Sequence, residues 1–335
     1  MAKGKSRKKK HVVRRLLLLV LLLLLIFVAL CLVTPSQKEM ALAGTAAREI
    51  ADLELPSPVE GEQIIRHTGY TLSYNEEAEQ PSWVAYCLTR DEAVASAAER
   101  EDNFREDRAV RTGSATLDDY RSSGYDRGHM APAADFKWSA EAMSDTFYMS
   151  NMSPQDGGLN RGLWADLEAI VRQMAVDNEK VYVVTGPVLT DGPFRTIGEN
   201  RVAVPNQYYK VVLDYTDPDI KAIGFVLPNE KCDEDIQHYV RTVDEVEELT
   251  GLDFYPALPD EVEEIVESTV DIQAWSFRQF SSSSRSDDYT PGTVTDSSGA
   301  TARLQNAFNE VFYTIKEEVF SALGISDLAR TFGLI

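Results

Sequence analysis

From Leu16 to Val33 the chain runs through 18 consecutive apolar residues, "LLLLVLLLLLIFVALCLV". As a helix rising 1.5 Å per residue, that run covers about 27 Å, close to the hydrocarbon thickness of a bilayer. The pattern therefore predicts one transmembrane helix over 16–33. From about residue 64 the periods are those of a folded domain. "GYTLSYNEE" and "SWVAYCLT" alternate or cluster strand-forming residues, with "AEQP" as a turn between them. "VYVVTGPVL" (181–189), "QYYKVVLDY" (207–215) and "KAIGFVLPN" (221–229) are further predicted strands. The turn-rich "DYTDPDIK" between the last two predicts a hairpin. Trp164, Leu167, Val171 and Met174 fall on one helical stripe beginning near Asn160. "DEVEELTG" and "DEVEEIVEST" read as helix starts, because acidic first turns suit the helix dipole. The mixture predicts an α+β fold with a central, largely antiparallel sheet flanked by helices.

The domain sits between less regular segments. Residues 34–60, with prolines at 35, 56 and 58, read as a stalk, and the folded domain as 61–280. Residues 281–300 form a Ser-rich linker of low complexity. In 301–335, Leu304, Phe308, Val311, Phe312, Ile315, Val319 and Phe320 outline an amphipathic helix. Its polar face is not basic, which favours packing on a domain or partner over lipid.

Charge divides the chain sharply. The first fifteen residues hold 8 Lys/Arg and no acid, so this tail is expected in the cytoplasm and the domain on the extracytoplasmic side. Cleavage after "ALA" at 41–43 is the rival reading and would secrete the domain. Against it, the apolar run exceeds a usual signal core, and the site lies ten residues beyond its end. The remaining chain has 25 Lys/Arg against 54 Asp/Glu, a net of about −29. No basic face is visible, which argues against tight binding of nucleic acid by counterion release. An enzyme that meets phosphate at one local site stays open. Cys87 and Cys232 permit one disulfide, but nothing in the sequence brings them together. There is no CxxC or Cys/His array to suggest structural zinc.

The candidate chemistry is concentrated in "YDRGHMAPAADF", residues 125–136. A lone histidine at a strand end is commonly a satisfied structural residue. His129, however, lies two residues after Arg127, a natural phosphate partner. Downstream, "SNMSPQDGGLNRGLW" (150–164) brings Asn151 and Asn160 to the start of the Trp164 helix. On that helix Glu168 and Arg172 stand one turn apart, which fits either a site pair or an ordinary surface ion pair. Asp126 reads as a hydrogen-bond acceptor; Asp135, Asp145, Asp156 and Asp166 read as solvated or capping residues. Arg105, Arg108 and Arg111 are either groove-lining or balanced by Glu106 and Asp107.

"SGYDRGHMAPAADF", "FYMSNMSPQDGGLNRGLWADLE" and "FREDRAV" together resemble the DNA/RNA non-specific endonuclease family, most closely its endonuclease G type. The resemblance covers roughly 64–275 and implies a ββα-metal nuclease fold. It implies hydrolysis of phosphodiester bonds in DNA, RNA or both, with His129 as general base and Asn160 as the protein ligand of Mg²⁺, for which Mn²⁺ could substitute. It places Glu168 on the waters around the metal, Arg172 and Arg127 at the phosphate, and Asn151 as an orienting group. Neutral imidazole accepts a proton near neutral pH, and Mg²⁺ keeps most of its waters, so one neutral ligand suffices. The family also implies a homodimer, although no segment marks an interface.

Other classes fit less well. A zinc hydrolase needs about three good ligands, and beyond the apolar run only His67, His129 and His238 are available, with no HExxH. A two-metal nuclease needs convergent carboxylates, and the acids here are scattered. A membrane-tethered binding or scaffold module on the same fold, without turnover, is the alternative from another class. Metal-dependent loss of plasmid DNA separates it from an enzyme.

Overall fold

The computed structural model describes residues 49–216 and 220–281. The predicted span over 16–33, most of the Ser-rich linker and the 301–335 helix lie outside the described residues. Among those described, no helix is long and apolar enough to cross a membrane. Of the segment read as a stalk, residues 49–60 are described. There Leu53 is fully buried and Ser57 bonds Asp253 at 2.6 Å, so this end packs on the domain.

A seven-stranded sheet carries the domain, in the spatial order Gln63–Arg66, Thr71–Asn75, Gln80–Thr89, Lys180–Pro187, Gln207–Asp214, Lys221–Pro228, Val240–Arg241, with every neighbour antiparallel. Its first three strands are β1 (Gln63–Arg66), β2 (Thr71–Asn75) and β3 (Gln80–Thr89). The chain then leaves the sheet through α1 (Arg90–Val94) and α2 (Leu117–Tyr120). A separate two-stranded ribbon pairs β4 (Asp126–His129) with β5 (Met152–Gln155), the connection containing α3 (Ala140–Asp145). Next come the short α4 (Gly157–Asn160) and the long α5 (Leu163–Asp177). The chain returns through β6 (Lys180–Pro187), a small hairpin of β7 (Arg195–Ile197) and β8 (Val202–Val204), then β9 (Gln207–Asp214), β10 (Lys221–Pro228) and β11 (Val240–Arg241). Finally α6 (Val243–Thr250) and α7 (Asp260–Ser268) close the domain.

Alternation assigns the two faces. Tyr86, Val183, Val212 and Ile223 lie opposite one another across four strands and are buried with Trp164, Leu167 and Val171 of α5. The predicted stripe is thus the packing face of α5; Trp164, Leu167 and Met174 are fully buried. The intervening row, Ala85, Val184, Val211 and Gly224, faces the other way. There Tyr209 packs on Phe254 and Tyr255 donates to the Tyr182 carbonyl at 3.1 Å. Val246 of α6 comes so close to Gly224 that an added Cβ would stand 2.7 Å from its methyl. Helices cover both faces, so β6, β9 and β10 are apolar almost throughout rather than alternating.

The strands and the two acidic helices form where predicted. The 207–214/221–228 pair is the expected hairpin. Cys87 and Cys232 are both free thiols and form no disulfide.

Candidate active site

The whole of the "DRGH" box is strand β4, and its glycine is a steric requirement. A Cβ at Gly128 would stand 2.1 Å from the Gln155 side-chain oxygen on the paired strand. Alternation puts Arg127 and His129 on one side of the ribbon and Asp126 on the other.

Two phenylalanines form the floor under the first pair. Phe104 and Phe147 meet edge to face at 5.0 Å, and the His129 ring lies 5.6 Å from one and 5.0 Å from the other. The Arg127 guanidinium sits 4.0 Å over Phe104, and that of Arg100 sits 5.0 Å over Phe147. Burial first, then the positive charge of Arg100, presses the His129 pKa down to about 3; Asp102 pulls the other way, and Arg127 adds a smaller push downward. The imidazole is therefore neutral at physiological pH. Its Nε2 is buried without a hydrogen-bond partner.

Behind the ribbon, Asn151 is fully buried and fully engaged. Its amide donates to the Ala131 and Thr146 carbonyls at 2.9 and 2.8 Å, and its oxygen accepts from the Ala131 N–H at 2.9 Å. The Asn151 carbonyl also takes the Met130 N–H at 3.0 Å. Asn151 thus pins the chain just after His129 and, being fully buried, is out of a substrate's reach. Asn160 ends α4, which Asp156 caps through the Gly158 N–H at 2.7 Å. Asn229, at the end of β10, ties this junction to the sheet through Asp156 N–H and the Pro154 carbonyl. The Asn160 amide nitrogen donates to Asp126 Oδ2 at 3.0 Å, while Arg161 pairs with Asp126 Oδ1. Asp126 is an acceptor, as its place in the sequence suggests, and it turns the Asn160 amide so that the carbonyl oxygen is the free atom.

Asp126, Arg127, Asn160, Arg161, Arg100 and Phe104 line one open cleft. Arg100 is paired with Asp102 and Arg161 with Asp126. Among the described residues Arg127 has no carboxylate within ion-pair distance and is held by Phe104 alone.

Glu168 and Arg172 are neither exposed nor paired with each other. Arg172 donates to Asp135 Oδ1 at 2.7 Å, and Tyr86 donates to Asp135 Oδ2 at 2.8 Å. Asp135, expected to be solvated or capping, is completely buried and is the centre of this network. Lys210 of β9, also completely buried, places its ammonium 5.0 Å over the Trp164 ring, one helical turn from Glu168. Burial pushes the Glu168 carboxyl up to about 7, opposed by Lys210, Arg172 and Arg100. The positive charge of Arg100 acts on both His129 and Glu168.

The structure thus brings Arg127 and Asn160 together in one cleft; His129 is not on its wall but packs behind it on Phe104, which is, and Glu168 and Arg172 belong to a separate buried cluster. Arg105 is structural: it stacks 3.7 Å over Tyr148 and donates to the Ser144 carbonyl at 2.7 Å. Arg111 bonds Gln63, and neither it nor Arg108 lines the cleft. His67 bonds the buried Asp107 at 2.8 Å and is structural too. Sequence reading missed Arg100, Phe104, Phe147 and Lys210. Phe104 belongs to the "FREDRAV" segment, but nothing in its spacing says that it carries Arg127.

The ribbon and helix form a ββα unit, with the histidine on its first strand and the asparagine at the end of its helix. Residues 53–261 match the model of the DNA/RNA non-specific endonuclease family, and the chain belongs to that family. It is 35% identical to mouse mitochondrial nuclease EXOG over 60% of this chain and 59% of that protein. With human mitochondrial endonuclease G it shares 36% identity over 62% of this chain and 73% of the relative. A solved EndoG/EndoGI complex contains a chain matching with a TM-score of 0.55 at 36% identity, covering 58% of this chain and 86% of that one.

Proposed function

We propose that this protein is a metal-dependent endonuclease that hydrolyses phosphodiester bonds of DNA, RNA or both. The observation that carries the reading is the Asn160 amide, held by Asp126 at 3.0 Å with its carbonyl oxygen free beside the unpaired Arg127. That oxygen is a hard donor at the cleft wall, and it fits Mg²⁺ or Mn²⁺ completed by water. Such a cation, when bound, offsets charge on the phosphate and on the departing oxygen. The chain's own residues do the rest. Arg127, which no carboxylate among the described residues pairs with, binds the phosphate. His129, neutral and fixed between two phenylalanine rings, takes the proton of the attacking water. Asn151 holds the strand end that carries it. Glu168, pushed by burial up to about 7 against the opposing charges of Lys210, Arg172 and Arg100, accepts or gives a proton near neutral pH. We further propose that Leu16–Val33 anchors this domain on the extracytoplasmic side of a membrane; protease added outside intact cells should then digest it.

The test is cleavage of supercoiled plasmid and of RNA by the purified protein. His129→Ala is expected to reduce turnover by about 10²–10⁴-fold, and EDTA to abolish it. Retention of more than a tenth of the activity in His129→Ala, or full activity in EDTA, would overturn the mechanism. A protein that binds DNA but never cleaves it would be the scaffold module.

A further inference from the structure

Across the sheet from the cleft, α6 and α7 bring three carboxylates together. Asp244 and Glu247 stand on one face of α6, and Glu267 comes from the last turns of α7. One oxygen from each lies within 4.8 Å of the others. Asp244 is exposed and Glu247 half-buried, which alone would describe an ordinary acidic surface. Glu267 is different. It is only 5% exposed, and its Oε1 is buried with no hydrogen-bond partner.

The surroundings do not compensate it. The strongest charges acting on Glu267 are Glu247, Glu263, Asp244 and Asp253, all of the same sign. Burial first, and then these neighbours, push its carboxyl up to about 9, and Glu247 is raised to about 7 mainly by burial. Protonating Glu267 removes its charge, but Oε1 still has no hydrogen-bond partner within reach. A bound cation answers both.

We propose that Asp244, Glu247 and Glu267 form a binding site for a hard divalent cation of the calcium type, which clamps α6 to α7. The donor set is oxygen only, which selects Ca²⁺-like ions over zinc or copper. Calcium–oxygen bonds of about 2.3–2.6 Å let two ligand oxygens stand up to roughly 5 Å apart around one ion. The observed spacing lies within that reach. Glu247 Oε1 already accepts the Phe254 N–H at 2.7 Å, so the three carboxylates supply three to five ligand atoms, and the exposed side at Asp244 admits water for the remainder. The site is independent of the catalytic reading and of its metal.

The experiment uses the full chain in detergent, carrying Asn160→Ala to remove the cleft's own metal ligand, titrated with CaCl₂ by calorimetry and thermal unfolding. Expected are one saturable Ca²⁺ per chain and a rise in Tm of about 5–10 °C at a hundredfold excess over the dissociation constant. Adding Glu267→Gln should abolish both, whereas Glu261→Gln, an exposed acid on α7, should leave both unchanged. The proposal is overturned if the parent shows no Ca²⁺ response or if Glu267→Gln retains it. Should Glu267→Gln fail to fold, Asp244→Asn, at an exposed position, decides. It should weaken Ca²⁺ at least tenfold, and unchanged affinity would overturn the site.

Discussion

Two groups of buried charge lie on opposite faces of the same sheet, and they are built on different principles. Under α5, Asp135 and Glu168 are interleaved with Arg172 and Lys210, and Tyr86 supplies a further donor. Between α6 and α7 the charges are of one sign. The first cluster finds its countercharges within the chain, in Arg172 and Lys210. The second can be neutralised only from outside, by protons or a cation. Burial alone therefore does not tell what a carboxylate is for; the identity of its nearest countercharge does.

The sharpest way to break the comparison is to remove the guanidinium that binds Asp135. Arg172→Ala is expected to destabilise the domain by about 3–5 kcal/mol, because it strands a fully buried carboxylate. A loss under 1 kcal/mol in urea unfolding would show that Asp135 does not need its partner. The opposite sign is expected across the sheet. A carboxyl raised in the folded state binds its proton more tightly there than in the unfolded chain. Stability is then full below the unfolded value of 4.5 and drains away as pH rises towards 9. In EDTA, Glu267→Gln should accordingly gain about 1–2 kcal/mol over the parent at pH 8 and nearly nothing at pH 5. Equal Tm differences at the two pH values would contradict it.

Lys210 sharpens the contrast further. It makes a ring contact but no hydrogen bond within the cluster, unlike Arg172. Lys210→Met should cost only about 1 kcal/mol or less. The ammonium holds the Glu168 carboxyl down, so its loss should move the Glu168 limb of the pH–rate profile above about 7. An unmoved profile would disconnect Lys210 from Glu168. The smallest effect is expected at Asp244, which is exposed. Asp244→Asn in EDTA should stay within about 0.5 kcal/mol of the parent.

Much of this could be read along the chain. The strands at 71–75, 80–89, 180–187, 207–214 and 221–228 are legible because buried strands leave dense β-branched and aromatic runs. The Trp164 stripe and the acidic starts of α6 and α7 are legible for the matching helical reason. Short pairings such as β7–β8 and β10–β11 are not, since three or two residues carry no period. Around the site, His129, Arg127 and Asn160 stand in recognisable boxes. Arg100 does not, sitting in the polar run "AAEREDNF" where only the folded chain sets it over Phe147, the ring against which His129 packs.

The linear sequence by itself determined the element types, the glycine-bearing histidine strand and the asparagine at a helix end, because these depend on neighbours within a few positions. Only the tertiary structure decided which charges meet. Asp135 looks like any loop acid until Arg172 and Tyr86 converge on it from 37 and 49 residues away. Glu267 looks like one more surface acid of an acidic helix until its rotation buries it. Charge pairing acts over a few ångströms through space, and distance along the chain carries almost no information about it.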